Sequence, residues 1–482
     1  MGTGLKAKSL RAVMKLSVGT AAGYGMKFVR RMILARLLAP SEIGVMAIVM
    51  GFSMAFEAFT EVGVRDSVIQ NKKGAEAAYL NVTWWVQVVR GFFLFLLAIL
   101  SAPWISSFYN KPELLSLLRV SFLAILFKGL VSPRAYVLEK EYRFGRSVML
   151  NQGSAVLGAT VTIILAFLIR NVWALVIGFV AEMALLCLVS FIFVPIVPRF
   201  KIDRQSLGEL MKFARGMFGL PVLAFVGYQV PILVLGKVIS DDELGFYSYA
   251  TMLAYFPIMI YTKMVGPVLL PAFSKKQGDN AALCRGLLLV TRWTGVSGIL
   301  LATYMACCSS ELLYVIYKPE YAAMAIPFAV LCVQIIARTE TAILAGVYLA
   351  VGRPHLHRRY SIARAVVIVG LIYPASVHFG ALGAAGVVVV SNLFILFMQV
   401  LGCHRIIGLD FSRYVRCYVP GLVLALPIAL TFDLLWLFEV DHFTWVIAIG
   451  SCVFIATLAI SMFAVSRSEQ NVQNHPEDRR LT

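Results

Sequence analysis

Apolar and polar positions along this chain follow one length scale. Stretches of about 20 mostly apolar residues are separated by short polar loops. A helix of that length crosses roughly 30 Å of hydrocarbon, and it satisfies its own backbone groups where no water can. About fourteen such stretches can be counted, near residues 13–38, 42–66, 79–101, 113–133, 147–169, 172–195, 213–239, 244–270, 283–308, 322–351, 359–378, 380–403, 417–438 and 443–465. The first carries Lys27, Arg30, Arg31 and Arg36 and would escape a simple hydropathy window. The loop charges are what bring it in.

With the N-terminus inside, every even-numbered loop is also inside, and those loops are the basic ones. They hold Lys72 and Lys73, Arg134 to Arg146, Arg199 to Arg215, Lys275 and Lys276 with Arg285, Arg353 to Arg364, and Arg405 to Arg416. The tail adds Arg467, Arg479 and Arg480. The odd loops carry few cations, and Asp241, Asp242, Glu243, Glu320, Glu439 and Asp441 lie in or beside them. This is the positive-inside pattern, which a wrong count would scramble, and it puts both termini in the cytoplasm. Residues Lys6 to Lys15 lead into a long span without the short apolar core and small-residue cleavage site of a secretory signal.

Composition agrees. The 482 residues are 60% hydrophobic and 14% charged, with a mean hydropathy of +0.83. Soluble domains carry roughly 25% charged residues. Lipid must therefore be the solvent for most of the surface. The net charge of +18 follows from topology, and nothing calls for nucleic acid. The eight cysteines are scattered without zinc-ligand spacing, and the adjacent pair Cys307 and Cys308 reads as small buried side chains. No metal and no cofactor are expected.

The two halves resemble each other. Residues 36–44, RLLAPSEIG, align with 237–245, KVISDDELG, and each joins the first two spans of its half. Both halves then run to a polar inner loop, NKK at 71–73 and SKK at 274–276. An even number of spans separates the matching elements, so the repeat is parallel, about an axis along the membrane normal. The expected fold is an all-α polytopic membrane protein. Residues 1–195 form a six-helix lobe, 196–212 an amphipathic cytoplasmic connector, and 213–404 a second six-helix lobe. Residues 405–482 supply two additional helices and a cytoplasmic tail. Two such lobes imply a central cavity and alternating access. No loop is long enough to house a catalytic domain and there is no Walker motif, so an enzyme is not expected.

Charges inside spans are the candidate chemistry, because each costs about 2.5–3.5 kcal/mol on insertion scales unless it is paired or wet. Thr20, Tyr24, Lys27 and Arg31 share one face of the first span, with Arg30 flanking it. Lys27 lies roughly 21 Å from the inner end at about 1.5 Å per residue. Arg90, Arg119 and Lys128 fall in later spans of the first half, and Arg338 and Lys263 in the second. Acids are fewer: Glu57 and Glu61 on one face of the second span, then Glu182 and Glu340. Some of these acids can neutralise Arg30, Arg31 or Arg90 as interhelical ion pairs, but cations exceed acids in the first half. A cationic cavity predicts an anionic substrate, and arginine suits bidentate phosphate binding. Lys27, Arg30, Arg31, Arg90, Arg119 and Arg338 are therefore the expected substrate-binding set. Glu57, Glu61 and Glu340 are the candidates for ion pairing or coupling. Pro221, Pro231, Pro257, Pro267 and Pro327 mark bending points in spans of the second half.

Several runs carry a family resemblance: ILARLLAPSEIGVMAIV (33–49), EVGVRDSVIQNK (61–72), SPRAYVLEKEYRFGRSVML (132–150), LGFYSYATMLAYFP (244–257) and VLLPAFSKKQ (268–277). In order and spacing the chain resembles, from about residue 10 to residue 410, the Wzx-type polysaccharide flippases. These belong to the multidrug/oligosaccharidyl-lipid/polysaccharide exporter superfamily. The resemblance implies translocation of an undecaprenyl-pyrophosphate-linked oligosaccharide across the bacterial inner membrane for O-antigen, capsule or exopolysaccharide synthesis. It implies a cavity lined by cations, to which the first-span cluster and Arg90 correspond. Membrane lipids, a polysaccharide polymerase and a chain-length regulator are the partners in view. One departure is Pro231 followed by ILVLG, where the family often carries an acidic or amide residue; this leaves ion coupling open. A peptidoglycan-precursor flippase and a drug/cation antiporter of the same superfamily are the alternatives, and the antiporter would favour an acidic cavity.

Overall fold

A computed structural model describes residue 23 and residues 25–60, 63–141, 143–200, 202–217, 219–438 and 443–474. Among the described residues there are helices and turns and no strand. Ten helical stretches among the described residues are long and apolar enough to cross a membrane. There are eleven if Glu113–Leu130 and Arg134–Lys140, bent by 59° at their junction, count as one broken span. The chain divides into two compact units, residues 1–248 and 249–482.

In the first unit, helix α1 covers residues 25–37 and is followed by α2 (Pro40–Thr60), α3 (Val64–Gln70) and α4 (Ala77–Tyr109). Next come α5 (Glu113–Ser121), α6 (Leu123–Leu130), α7 (Arg134–Lys140), α8 (Phe144–Ile169) and α9 (Val172–Phe193). The unit closes with α10 (Arg204–Met217), α11 (Leu220–Tyr228), α12 (Val230–Val238) and the start of α13 (Asp241–Ser274). The span expected at 13–38 lies partly outside the described residues.

Helix α4 is about 50 Å long at 1.5 Å per residue. Gln87, Gly91, Leu94 and Ala98, at helical spacing, turn inward, while Val89, Phe92, Phe93, Leu96 and Leu100 are exposed to what must be lipid. The helix ends at Asn110 in the left-handed region (φ 55°), and the Lys111 amide reaches back to the Ser106 carbonyl at 3.1 Å, closing a Schellman turn. Helices α8 and α9 form a tight hairpin. A Cβ at Gly158 would sit 2.8 Å from the Glu182 backbone, so only glycine admits that approach. The connector takes shape as α10. Asp203 accepts hydrogen bonds from the Ser206 amide (2.9 Å) and hydroxyl (2.6 Å), capping the helix, and Leu210 buries against Val68, Tyr79 and Leu80.

The two aligned motifs meet inside this unit, each at its own glycine. A Cβ on Gly44 would lie 2.0 Å from the Asp241 carbonyl oxygen, and one on Gly245 would lie 2.0 Å from the Pro40 carbonyl oxygen. Position 40 aligns with 241 and 44 with 245, so the contact is reciprocal about a local two-fold axis. Nearby, Lys111 pairs with Asp241, and Tyr109 donates to the Leu233 carbonyl at 2.8 Å.

The second unit contains the rest of α13, α14 (Asn280–Cys307), α15 (Ser309–Ile316), a 3-10 turn at Pro319–Met324, α16 (Ala325–Cys332) and α17 (Gln334–Ala350). It continues with α18 (Pro354–Ile407), α19 (Phe411–Arg416), α20 (Val419–Leu437) and α21 (Phe443–Asn474). Helix α18 has 54 residues, but Gly380 breaks it at φ 54°, ψ −135°. Beyond the break the chain turns back. His357 Nδ1 lies 2.9 Å from Gln399 Nε2, and Arg364 lies 3.3 Å from Asn392 Oδ1. A straight helix would hold those pairs about 60 and about 40 Å apart. The stretches expected at 359–378 and 380–403 are thus two antiparallel helices with the turn where the pattern placed it.

Candidate functional site

The first-span cations lie against α9. Arg30 donates to Glu182 Oε2 at 3.0 Å, and Lys27 Nζ is 3.9 Å from Glu182 Oε1. Glu182 is buried, and Gly158 lets its backbone pack directly on α8, so the carboxylate is held for these two partners. This is the interhelical neutralisation that the scarcity of acids allowed for, with Glu182 as the acid. Arg31 lies one position further along the same half-exposed helix.

A second group of charges surrounds a cleft that holds roughly 590 Å³ of empty space, continuous with its mouth. Its walls are Glu57 of α2, Val64 and Arg65 of α3, Gln87, Arg90, Gly91 and Leu94 of α4, Ile125, Lys128 and Gly129 of α6, and Tyr136 of α7. Three features of the sequence build it. Gly63 adopts a left-handed conformation (φ 58°) and redirects the chain between α2 and α3, which swings Arg65 to the cleft. Gly91 and Gly129 let α4 and α6 touch backbone to backbone: a Cβ on Gly91 would come within 3.0 Å of Gly129 Cα. Residues 87, 90, 91 and 94 follow helical spacing, so one edge of α4 faces the opening.

Charge of both signs surrounds the cleft. Three cations (Arg65, Arg90, Lys128) face one acid in the lining (Glu57). Lys128 pairs with Glu57, and Arg65 pairs with Glu139 at 2.5 Å and with Asp66 at 3.2 Å. Gln87 donates to the Tyr136 hydroxyl at 3.4 Å, while its own Oε1 is buried without a hydrogen-bond partner among the described residues. The arrangement offers guanidinium and ammonium donors, one amide oxygen still to be satisfied, and a phenol. That set suits an anionic head group with hydroxyls attached.

The expected substrate-binding residues therefore do not share one place. Lys27 and Arg30 are held by Glu182, Arg90 lines the cleft, and Arg119 is exposed at the end of α5. Arg338 belongs to the second unit, with its guanidinium 5.2 Å from the centre of the Tyr255 ring. Of the acids, Glu57 is in the cleft, Glu61 lies outside the described residues, and Glu340 is fully buried among hydroxyls in the second unit. Arg65, Gln87 and Tyr136 are the cleft residues that the search for in-span charge passed over. Arg65 stands in the EVGVRDSVIQNK run and Tyr136 in SPRAYVLEKEYRF, so their signal was the family pattern and not hydropathy.

Comparison with known proteins bears on this geometry. Residues 33–326 match the sequence family described as polysaccharide biosynthesis protein. The chain is 27% identical over 308 residues to the succinoglycan biosynthesis transport protein ExoT of Rhizobium meliloti (strain 1021), covering 62% of this chain and 60% of that one. It is 19% identical over 428 residues to the lipopolysaccharide biosynthesis protein WzxC of Escherichia coli (strain K12), covering 88% and 86%. Among solved structures, the lipid II flippase MurJ in an inward closed conformation superposes with a TM-score of 0.76 at 14% identity, covering 94% of this chain and 99% of that one.

Proposed function

The chain belongs to the polysaccharide biosynthesis protein family, and from that premise we propose that it is a flippase for an undecaprenyl-pyrophosphate-linked oligosaccharide in the bacterial inner membrane. The cleft of the first unit holds the pyrophosphate in this reading. Arginine presents paired donors that match phosphate oxygens, and Arg65, Arg90 and Lys128 line the cleft. A sugar hydroxyl satisfies Gln87 Oε1. The polyprenyl tail stays against the exposed apolar face of α4.

Transport by alternating access over fourteen spans in two six-helix lobes and a final pair is part of the same proposal. It is supported by the reciprocal packing of Gly44 and Gly245, by the turn of α18 at Gly380, and by the 34-residue length of α13. The cytoplasmic position of both termini and of α10 rests on the basic loops. A polymerase and a chain-length regulator acting on the delivered unit are the partners this reading entails.

The observation that carries it is a cleft lined by Arg65, Arg90 and Lys128 in a chain otherwise built for lipid. The test is the sidedness of lipid-linked oligosaccharide in cells depleted of the protein. Substrate is expected to accumulate on the cytoplasmic leaflet and to be relieved by the wild type and by Arg119→Glu. Arg90→Glu should lower delivery at least about tenfold, since a hydrogen bond to a charged group is worth about 1.5–3 kcal/mol and about 1.4 kcal/mol is a factor of ten. Normal delivery by both Arg90→Glu and Lys128→Glu sinks the cleft as the head-group site. One alternative has an observation of its own: the likeness to MurJ favours a peptidoglycan-precursor cargo with the same diphosphate chemistry. Rescue of a strain lacking its own lipid II flippase separates the two.

A further inference from the structure

The second unit contains a buried carboxylate whose environment differs from those of Glu57 and Glu182. Glu340 of α17 has no exposed surface. Thr291 Oγ1 lies 2.9 Å from its Oε2, Thr294 Oγ1 lies 2.7 Å from its Oε1, and the Tyr414 hydroxyl lies 3.2 Å from Oε2. The Tyr418 hydroxyl donates to that of Tyr414 at 2.9 Å, so a chain of hydroxyls leads away from the carboxyl. Thr291 and Thr294 are one turn apart on α14, and the two tyrosines sit in and just after α19, which follows the basic loop read as cytoplasmic. Gly295 makes room for the outer tyrosine, since a Cβ there would lie 2.9 Å from the Tyr418 ring.

Among the described residues Glu340 forms no ion pair, whereas Glu57 and Glu182 each have a cation. Of the charged and titratable groups on the elements around it, Arg292 lies near Cys417, as Glu340 itself does, and others have contacts of their own. Arg292 of α14 is on the side of Cys417, which bonds to the Leu288 and Arg413 carbonyls; Arg338 of α17 lies over Tyr255; Arg413 pairs with Asp410. On α18, His357 faces Gln399 and Arg364 faces Asn392.

Counting protons shows what the cage can hold. The hydroxyl of Thr294 has one proton and two acceptors, Glu340 Oε1 and the Val290 carbonyl at 2.9 Å. With a proton on Glu340, the carboxyl donates to Thr294, which donates to Val290. Without it, the Thr294 proton swings to the carboxylate, and Thr291 and Tyr414 donate to the other oxygen. One proton is gained or lost by turning a hydroxyl, with no backbone movement. A hard cation such as Ca²⁺ collects about six to eight oxygens at roughly 2.3–2.6 Å; here three hydroxyls stand at hydrogen-bonding distance.

We propose that Glu340 is a proton-binding site, reached through the Tyr418–Tyr414 hydroxyl chain, and that its loading couples transport to the proton gradient. The coupling clause rests on the flippase reading; the site itself does not. The first test is infrared difference spectroscopy between acidic and alkaline pH on the full chain in liposomes, without cargo or gradient. A protonated-carboxyl C=O band is expected on acidification in the wild type and in Glu57→Gln, and its loss in Glu340→Gln. Tyr414→Phe and Thr294→Val keep the band and move it to higher wavenumber, because each removes a hydrogen bond while keeping the shape. A spectrum unchanged by Glu340→Gln overturns the site, as does a band that Na⁺ abolishes at constant pH. In cells, a protonophore should lower wild-type delivery about tenfold, a coupling of ordinary size. Glu340→Gln should deliver at that lowered level with or without it. Protonophore-sensitive delivery at wild-type level by Glu340→Gln overturns the coupling. If the band behaves as expected while the depleted cells deliver normally, the flippase reading fails and the proton site stands.

Discussion

Glu182 accepts from Arg30 at 3.0 Å and lies 3.9 Å from Lys27, with Arg30 Nε buried beside it and without a partner among the described residues. Removing that acid takes the carboxylate away from a largely buried guanidinium. Glu182→Gln should therefore cost about 1–3 kcal/mol of stability, the penalty of an unsatisfied buried charge. The double change with Arg30→Gln should recover most of the loss. Thermal unfolding of the purified protein reads both, and an unchanged midpoint in Glu182→Gln would show that the pair contributes nothing. The distinction matters for function, because Lys27 and Arg30 satisfy the same sequence criterion as Arg90. Spacing identified all three as cations at membrane depth. Only the packing of α9 against α1 and, through Gly158, on α8 assigned two of them to a carboxylate 152 positions from Arg30.

At the scale of elements, glycines decide which helices approach and which merely bend. Gly44 and Gly245 have a carbonyl oxygen 2.0 Å from where a Cβ would be, so Gly44→Val or Gly245→Val must separate the two motifs. A loss of about 1–3 kcal/mol is expected from such overpacking. Gly208 in α10 is the contrast. Nothing lies within 4 Å of its Cβ position and its backbone is helical, so Gly208→Ala should stabilise by about 0.5–1 kcal/mol. Thermal melts showing the same sign for both changes would contradict the packing described here. The cap of α10 carries a pH dependence. Hydrogen bonds from the Ser206 hydroxyl and amide hold the exposed Asp203 carboxyl below the usual carboxylate range. Its contribution is complete above the ordinary Asp value of about 3.9 and fades as pH falls through the depressed one. Hydrogen exchange at the Ser206 amide should quicken below that range in the wild type and lose this acid dependence in Asp203→Ala.

For the molecule as a whole, the repeating apolar length determined that this is a multi-pass helical membrane protein. The alternation of basic and acidic loops carries the proposed orientation, and the likeness of RLLAPSEIG to KVISDDELG the proposed internal repeat. These features are legible because they depend on local composition: a span must exclude charge along its own length whatever its neighbours are. The turn at Gly380 belongs with them, since the polar interruption and the glycine lie in the same few residues. The site was legible only in part. Arg90 and Glu57 were in view as in-span charges, but Arg65 reaches the cleft because Gly63 turns the chain, and Gln87 and Tyr136 are uncharged. Glu340 was visible as an in-span acid, yet nothing in its own helix announces Thr291, Thr294, Tyr414 and Tyr418. Those partners come from two other segments, 46–49 positions before it and 74–78 after it in the sequence. Burial cost is a property of each residue and can be read along the chain, whereas its compensation is a property of neighbours brought together by packing. The sequence by itself thus determined where charge enters the membrane. Tertiary structure decided which charges are neutralised, which face the cleft, and which carboxyl is left to bind a proton.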